Sequence, residues 1–202
     1  MAAVTVSRQL GSLGTEIARE VARRLGCRMV WREVINEAAR RAGAPEAALA
    51  MIDDLGLLDV DLHPEASQAY EEAVREVMED LIAGGDVVIV GRAGQVILAD
   101  RPDVLHVRVI APLPLRVERI ASTHQVPTAA ARARVEQSDR TRRDHLRRYH
   151  GVDWNDPQLY DLVLNTEQLT VEGGADLVCQ TLARRGERND EGALKKGEPG
   201  LG

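Results

Sequence analysis

The sequence predicts an α/β protein whose parallel sheet carries helices on both faces, and three observations support this. Two continuous β-branched runs, Asp86-Val-Val-Ile-Val90 and Val104 to Ile110, suit strands buried on both sides. Such runs alternate with amphipathic helical stretches, which is the order that builds parallel sheets. Two apolar segments end in glycine turns, Ser7 to Gly14 and Gly91-Arg92-Ala93-Gly94. In sheets of this kind ligands bind at the carboxyl ends of the strands, so both turns could face one cleft.

Taken in order, Val4-Thr-Val-Ser opens the chain as a strand and leads through Gly11 and Gly14 into a helix. Ile17, Val21, Ala22 and Leu25 recur on one face of that helix. Cys27 to Trp31 reads as a short second strand, and Val34 to Ala42 as a helix closed by Gly43. Pro45 to Asp53 reads as a short helix, and Asp53 to Pro64 as an acidic connector. Gln68 to Ile82 is amphipathic, with a stripe of Ala69, Ala73, Val74, Val77, Met78, Leu81 and Ile82, and Gly84-Gly85 ends it. After the strands at 86–90 and 104–110, Pro112 starts a helix that reaches about Ser122. Thr128 to Arg148 is helical in pattern and dense in arginine. Leu159 to Leu164 is the last strand, and Val171 to Ala183 a final helix. Residues 186–202 mix glycine with charge and lack an apolar pattern, so a disordered tail is expected after a single domain over 1–185.

At 202 residues the chain is long enough for one well-buried core. Its net charge of -6 argues against a polyanion binder, and aromatics at 2% leave no platform for stacking DNA or RNA bases. Cys27 and Cys179 form no metal or redox motif and read as reduced core thiols. The five histidines (63, 106, 124, 145 and 150) show no metal spacing, so no metal-ligating set is expected from the protein, and His106 reads as a sheet residue. Trp31 and Trp154 read as packing residues, with Trp31 near where an acceptor pocket would form. The chain enters a strand at once and has no long apolar run, so a cytoplasmic protein without membrane association is expected.

The first glycine turn suggests a phosphate-binding loop, because strand, glycine loop and helix N-terminus together offer backbone N–H groups and a partial positive charge. The usual form places Gly-Lys-Ser/Thr at the helix start. With Gly14 as the second glycine, Thr15 stands where the lysine belongs and Glu16 where the hydroxyl belongs. No register supplies the lysine, so a plain strand-to-helix turn remains an alternative. Between Arg132 and Arg148 there are seven arginines and three acids, Glu136, Asp139 and Asp144. That run reads either as a solvated, ion-paired helix or as a mobile lid that closes cations over a transferring phosphoryl group.

Four blocks together carry a resemblance: Ser7-Arg-Gln with Gly11, Gly14 and Ile17-Ala18; Val90-Gly-Arg-Ala-Gly94; Asp139-x-x-Arg142; and Tyr160-Asp-Leu-Val-Leu-Asn-Thr166. In this order they resemble the cytidylate kinase-like family, related to the P-loop nucleoside monophosphate kinases. The resemblance implies a three-layer αβα P-loop kinase fold with a five-stranded parallel sheet and a helical arginine-rich lid at about 124–150. It also implies ATP and Mg²⁺ as cofactors and a nucleoside monophosphate acceptor, CMP or dCMP, in a monomer or homodimer. Carried over, Ser7, Arg8, Gln9, Gly11, Ser12, Gly14 and Thr15 would hold the donor phosphates. Arg92, with Gly91 and Arg143, would serve the acceptor, while Arg142, Asp139 and Arg8 would act on the transferring group. This chain departs from true cytidylate kinases in lacking the loop lysine and in having Ala93 where they carry an aspartate. A P-loop kinase for another small acceptor, and a nucleotide-binding or regulatory module without catalysis, are the alternatives.

Overall fold

The computed structural model describes residues 2–43 and 64–196. Strand β1 (Ala3–Arg8) is buried over its whole length, and helix α1 (Gly14–Leu25) follows the glycine turn. Then come β2 (Arg28–Val30), α2 (Arg32–Arg41), α3 (Pro64–Ala83) and β3 (Val87–Val90). The short α4 (Gly94–Ile97) leads to β4 (Val104–Ile110), α5 (Leu113–His124) and α6 (Thr128–His150). A 3-10 turn (Pro157–Leu159), β5 (Leu162–Asn165) and α7 (Val171–Lys196) complete the described chain.

All five strands are parallel and lie in the order β2-β3-β1-β4-β5. The central β1 pairs with β3 on one side (Val6 beside Val90) and with β4 on the other (Ser7 beside Arg108). Its carboxyl end therefore lies where the strand order reverses, the place at which such sheets open a crevice.

Alternation along the strands assigns each face its own core. Val4, Val6, Val88, Val90, Leu105 and Val107 pack with Ile17, Val21, Ala175 and Val178 of α1 and α7. Ala3, Ile89 and Val104 pack on the other face with Val74, Met78 and Ile82 of α3 and with Trp154. That second face also carries polar residues. His106 Nδ1 lies 2.7 Å from Thr5 Oγ1, and the His106 N–H donates to Asp161 Oδ2. A third cluster, Val117, Ile120, Ala131 and Val135, joins α5 to α6 as an antiparallel pair outside the sheet.

Several boundaries differ from the sequence expectation. β5 starts at Leu162 rather than Leu159, because Pro157 begins a 3-10 turn capped by Asp156 Oδ1, which accepts from the Gln158 N–H. α3 starts at Pro64, since proline suits a first helical position whose N–H has no intrahelical acceptor. α7 runs to Lys196, into the segment expected as a tail. Its Glu, Arg, Ala, Leu and Lys residues favour helix enough to absorb Gly186 and Gly192, at about 1 kcal/mol each relative to alanine. The expected helix at 45–53 and the connector up to 63 lie outside the described residues. Among the described residues no helix is long and apolar enough to cross a membrane.

Burial pushes His106 below the usual imidazole range, and the nearby Asp161 only partly opposes this. With a folded pKa below the unfolded one, protons prefer the unfolded chain, so stability falls as pH drops through about 6.5. Denaturant midpoints should fall from pH 7.5 to 5.5, and His106→Gln should make that fall shallower. Equal slopes in the two proteins would remove His106 from the account.

Candidate functional site

The glycine turn hangs from the two central strands. The Gln9 N–H donates to Val109 O at 3.1 Å, and Gln9 Oε1 accepts from the Ala111 N–H at 3.0 Å. Four successive carbonyls of the turn are then held from behind. Ser12 donates to Gln9 O through its N–H and its hydroxyl, at 3.2 and 2.8 Å. Arg116 reaches Leu10 O at 3.4 Å, Arg119 reaches Gly11 O at 3.2 Å, and the Thr166 hydroxyl donates to Ser12 O at 2.9 Å. In a planar trans peptide the next N–H points opposite to the carbonyl. Fixing Leu10 O and Ser12 O to the scaffold thus aims the Gly11 and Leu13 N–H groups at the open side.

Glycine is required at two points. Gly11 has φ +79, and a Cβ there would stand 2.7 Å from Arg116 O; a Cβ on Gly14 would stand 2.4 Å from Arg8 Cβ. Leu13 enters α1 in the left-handed region (φ 62), and no side chain caps the helix. The first N–H groups of α1 therefore lack intrahelical acceptors and concentrate partial positive charge at the turn. This is an anion cradle formed by backbone.

Three arginines converge beside it. Arg8, the last residue of β1, is 8% exposed, and its guanidinium carbon lies 5.0 Å from the Trp31 ring. Its Nη1 lies only 2.6 Å from where a Gly91 Cβ would stand, and Gly91 itself is left-handed (φ +78), so a side chain there would be strained and would displace the guanidinium. Burial pushes the Arg8 pKa well below its usual value, Arg142 and Arg92 push the same way, and Glu16 opposes. Arg92 sits in a turn of three successive left-handed residues: Gly91 (φ 78), Arg92 (φ 56) and Ala93 (φ 54). Such strain at non-glycine residues costs of order 1–3 kcal/mol each and clusters at functional sites.

Two adjoining clefts share Arg8, Trp31 and Arg142 as walls. One, the larger, runs along Gln9 to Glu16 and is bordered by Arg119 and His124. The other lies over Gly91 to Ala93 and is walled by Gln95, Thr141, His145 and Trp154.

The helix α6 closes over both, and its anchoring corrects one expectation. Asp139 faces Arg116 rather than a cleft: Nη1 and Nη2 donate to its two oxygens at 3.1 and 2.9 Å. Arg116 is 4% exposed and also donates through Nε to Ala111 O. Asp139 therefore seats the lid. Arg142, one turn on, bonds Ser138 Oγ and borders both clefts. Arg143 is exposed and lines neither, because it falls on the solvent side of α6. Of the expected loop residues, Gln9 and the fully buried Ser12 turn their side chains into the scaffold, and Ser7 Oγ accepts from Trp154 Nε1 at 2.9 Å. Thr15 lies on the larger cleft, and Gly91 and Arg92 on the smaller one.

Arg116, Arg119 and Gln95 carry much of the geometry and have no signal in the sequence, and Trp154, expected as a packing residue, also walls the smaller cleft. They act through contacts between segments distant in the chain. Thr166 did fall within one of the matched blocks. Histidines without metal spacing nonetheless meet: His145 and His150 lie against Glu71 of α3. Burial, His150 and Arg92 together lower His145 to about 4. Burial lowers His150 as well, with Arg75 adding to it, and raises Glu71 against the pull of Arg92.

A central strand, a glycine loop with bare N–H groups, parallel order 2-3-1-4-5 and an arginine-bearing helical lid define a P-loop kinase fold. The chain belongs to the cytidylate kinase-like family, which it matches over residues 3–168. It is 25% identical to a cytidylate kinase of Pyrococcus horikoshii over 98% of this chain and 96% of the relative. It is 28% identical to a cytidylate kinase of Methanopyrus kandleri over 82% and 84% of the two chains. A 119-residue stretch, 59% of this chain, is 34% identical to part of a uronate isomerase of Corynebacterium glutamicum, spanning only 23% of that relative's length. Among solved structures, an uncharacterized protein from Eubacterium ventriosum superposes with a TM-score of 0.72 at 17% identity, over 91% and 99% of the chains. A gluconokinase from Sinorhizobium meliloti superposes with a TM-score of 0.54 at 12% identity, over 98% of both chains.

Removing the Asp139 charge leaves Arg116 buried without its partner. Asp139→Asn should lower unfolding stability by about 3–5 kcal/mol, the usual effect of breaking a buried pair. A midpoint in denaturant within 0.2 M of wild type, at unchanged slope, would contradict the seating role.

Proposed function

We propose that the protein is an ATP-dependent nucleoside monophosphate kinase that transfers the γ-phosphoryl group of ATP to a monophosphate acceptor, CMP or dCMP. The observation that carries this reading is the sharing of Arg8 and Arg142 by two adjoining clefts, one a backbone anion cradle and one bearing Arg92. A donor triphosphate fits along the loop, where Gly11, Leu13 and the α1 N-terminus offer N–H groups. The acceptor phosphate meets Arg92 in the smaller cleft. Arg8 and Arg142, at the seam, offset the charge that spreads over the transferring group, and positioning supplies the rest of the acceleration.

Arg8 brings a cation to the loop from the strand side, where this chain has no lysine on the helix side. Thr15 and Glu16 line the donor cleft with a hydroxyl and a carboxylate, oxygen donors that fit Mg²⁺. Held there, Mg²⁺ would supply neutralisation of the phosphate charge. Ala93 offers no carboxylate to the acceptor, so Gln95, Thr141 and His145 are among the polar groups that could meet the base.

The missing lysine favours a second reading, a nucleotide-binding module without transfer. Mg-ATP with CMP, dCMP, UMP, AMP and GMP in turn distinguishes the two. ADP release with CMP or dCMP is expected. ATP binding without ADP release from any of the five would favour the module, and release only with an unrelated acceptor would favour another small-molecule kinase. Arg92→Ala should raise the acceptor KM about tenfold or more and change ATP affinity less than about twofold, corresponding to the loss of one charge-assisted contact. Equal losses for both ligands would contradict the assignment of the two clefts.

A further inference from the structure

One cluster lies at the edge of the smaller cleft, which it touches through His145. Glu71 on α3 and His145 and His150 on α6 bring one carboxylate oxygen and two ring nitrogens within 4.8 Å of one another. Glu71 lies 3.5 Å from His150 Nε2 and 3.9 Å from His145 Nε2, too far for hydrogen bonds. The His150 Nε2 atom is buried and has no hydrogen-bond partner. The two rings meet edge to face, with centroids 5.7 Å apart. Three groups that bind electrophiles thus converge without satisfying one another.

We propose that Glu71, His145 and His150 form a binding site for a divalent transition-metal ion of the zinc class. Two imidazoles and one carboxylate are a ligand set that zinc accepts, leaving a fourth position open. Ligand atoms around a tetrahedral zinc stand about 3.3–3.5 Å apart, given bond lengths of about 2.0–2.2 Å. The Glu71–His150 pair already has that spacing, and the three ligand atoms lie within 4.8 Å of one another. Mg²⁺ is a poor match, because it demands six oxygens in octahedral array. Arg92 and Arg75 act electrostatically on the cluster and weaken the affinity for a dication without removing any ligand.

The site is separate from the oxygen donors of the ATP cleft. It ties α3 to the C-terminal end of α6, the helix that carries Arg142 and Asp139, and His145 also walls the smaller cleft. An ion there would pin the lid helix where its arginine borders both clefts.

The test uses the full-length protein and needs no turnover. Equilibrium dialysis against Zn²⁺ with elemental analysis should find one ion per chain, and Co²⁺ should give the visible absorption of a tetrahedral nitrogen–oxygen site. Glu71→Gln and His150→Ala should each weaken binding at least tenfold. The wild-type protein should melt several degrees higher with saturating Zn²⁺. Zn²⁺ should also shield His145 and His150, but not His106 or His124, from diethylpyrocarbonate, read by mass spectrometry on the wild type alone. No stoichiometric ion at about 100 µM Zn²⁺, a cobalt–thiolate band pointing to Cys27 or Cys179, or unchanged shielding of the two histidines would overturn the proposal.

Discussion

Arg116 joins three parts of the site that are far apart in the chain. Its guanidinium holds the end of β4 through Ala111 O, the glycine turn through Leu10 O and the lid through Asp139. A cation this deeply buried needs its carboxylate, because an unpaired charge in the interior costs several kcal/mol. The shape of the turn and the seating of the lid are therefore coupled through one side chain. Arg119 and Thr166 repeat the device one step along, and between them the carbonyls of residues 10 to 12 have scaffold partners.

The positive charge facing the clefts is held against its own repulsion. Arg8 is buried near Arg92 and Arg142, an arrangement that disfavours its charged form and that a bound phosphate relieves. Packing keeps it in place: Gly91 leaves space for the guanidinium, and Trp31 offers an aromatic face. The wall opposite is braced in the same way. Arg108 lies 4.3 Å from the Trp154 ring, bonds the Trp154 carbonyl and the Tyr160 hydroxyl, and reaches Asn155 Oδ1 at 2.9 Å. Trp154 in turn donates to Ser7 at the end of β1. Arginine stacked on rings and bonded to neutral oxygens thus makes a rigid partition beside the smaller cleft.

A phosphate loop without its lysine can still present a full set of dipoles, since the N–H groups belong to the backbone. What it lacks is the mobile ammonium that follows charge during transfer. In this fold the guanidiniums of Arg8, from the strand, and Arg142, from the lid, border the same space. Arg8 is packed in place, whereas Arg142 depends on how α6 is seated, so the lid anchor at Asp139 bears on the charge available at the seam.

The sheet, its parallel sense and most helix positions were legible in the sequence, because a strand buried on both faces must be apolar throughout and an amphipathic helix must repeat. Val104 to Ile110 and the stripe from Ala73 to Ile82 are examples. Gly11, Gly14 and Gly91 were legible for a related reason: the Arg116 backbone beside Gly11 and the Arg8 Cβ beside Gly14 leave no room for a Cβ, and Gly91 adopts a left-handed φ. The fate of the polar residues was not legible. Asp139 could face a substrate or a scaffold arginine, and the packing of α5 against α6 decides for the scaffold; likewise Arg142 and Arg143 are neighbours in sequence, yet the rotation of α6 sends one to the clefts and the other to solvent. Glu71, His145 and His150 show no spacing because their proximity arises where α3 and the C-terminal part of α6 come together. Local pattern determines which residues are buried, whereas partners for charge and lone pairs are chosen by contacts between distant segments, and only the folded chain decides those.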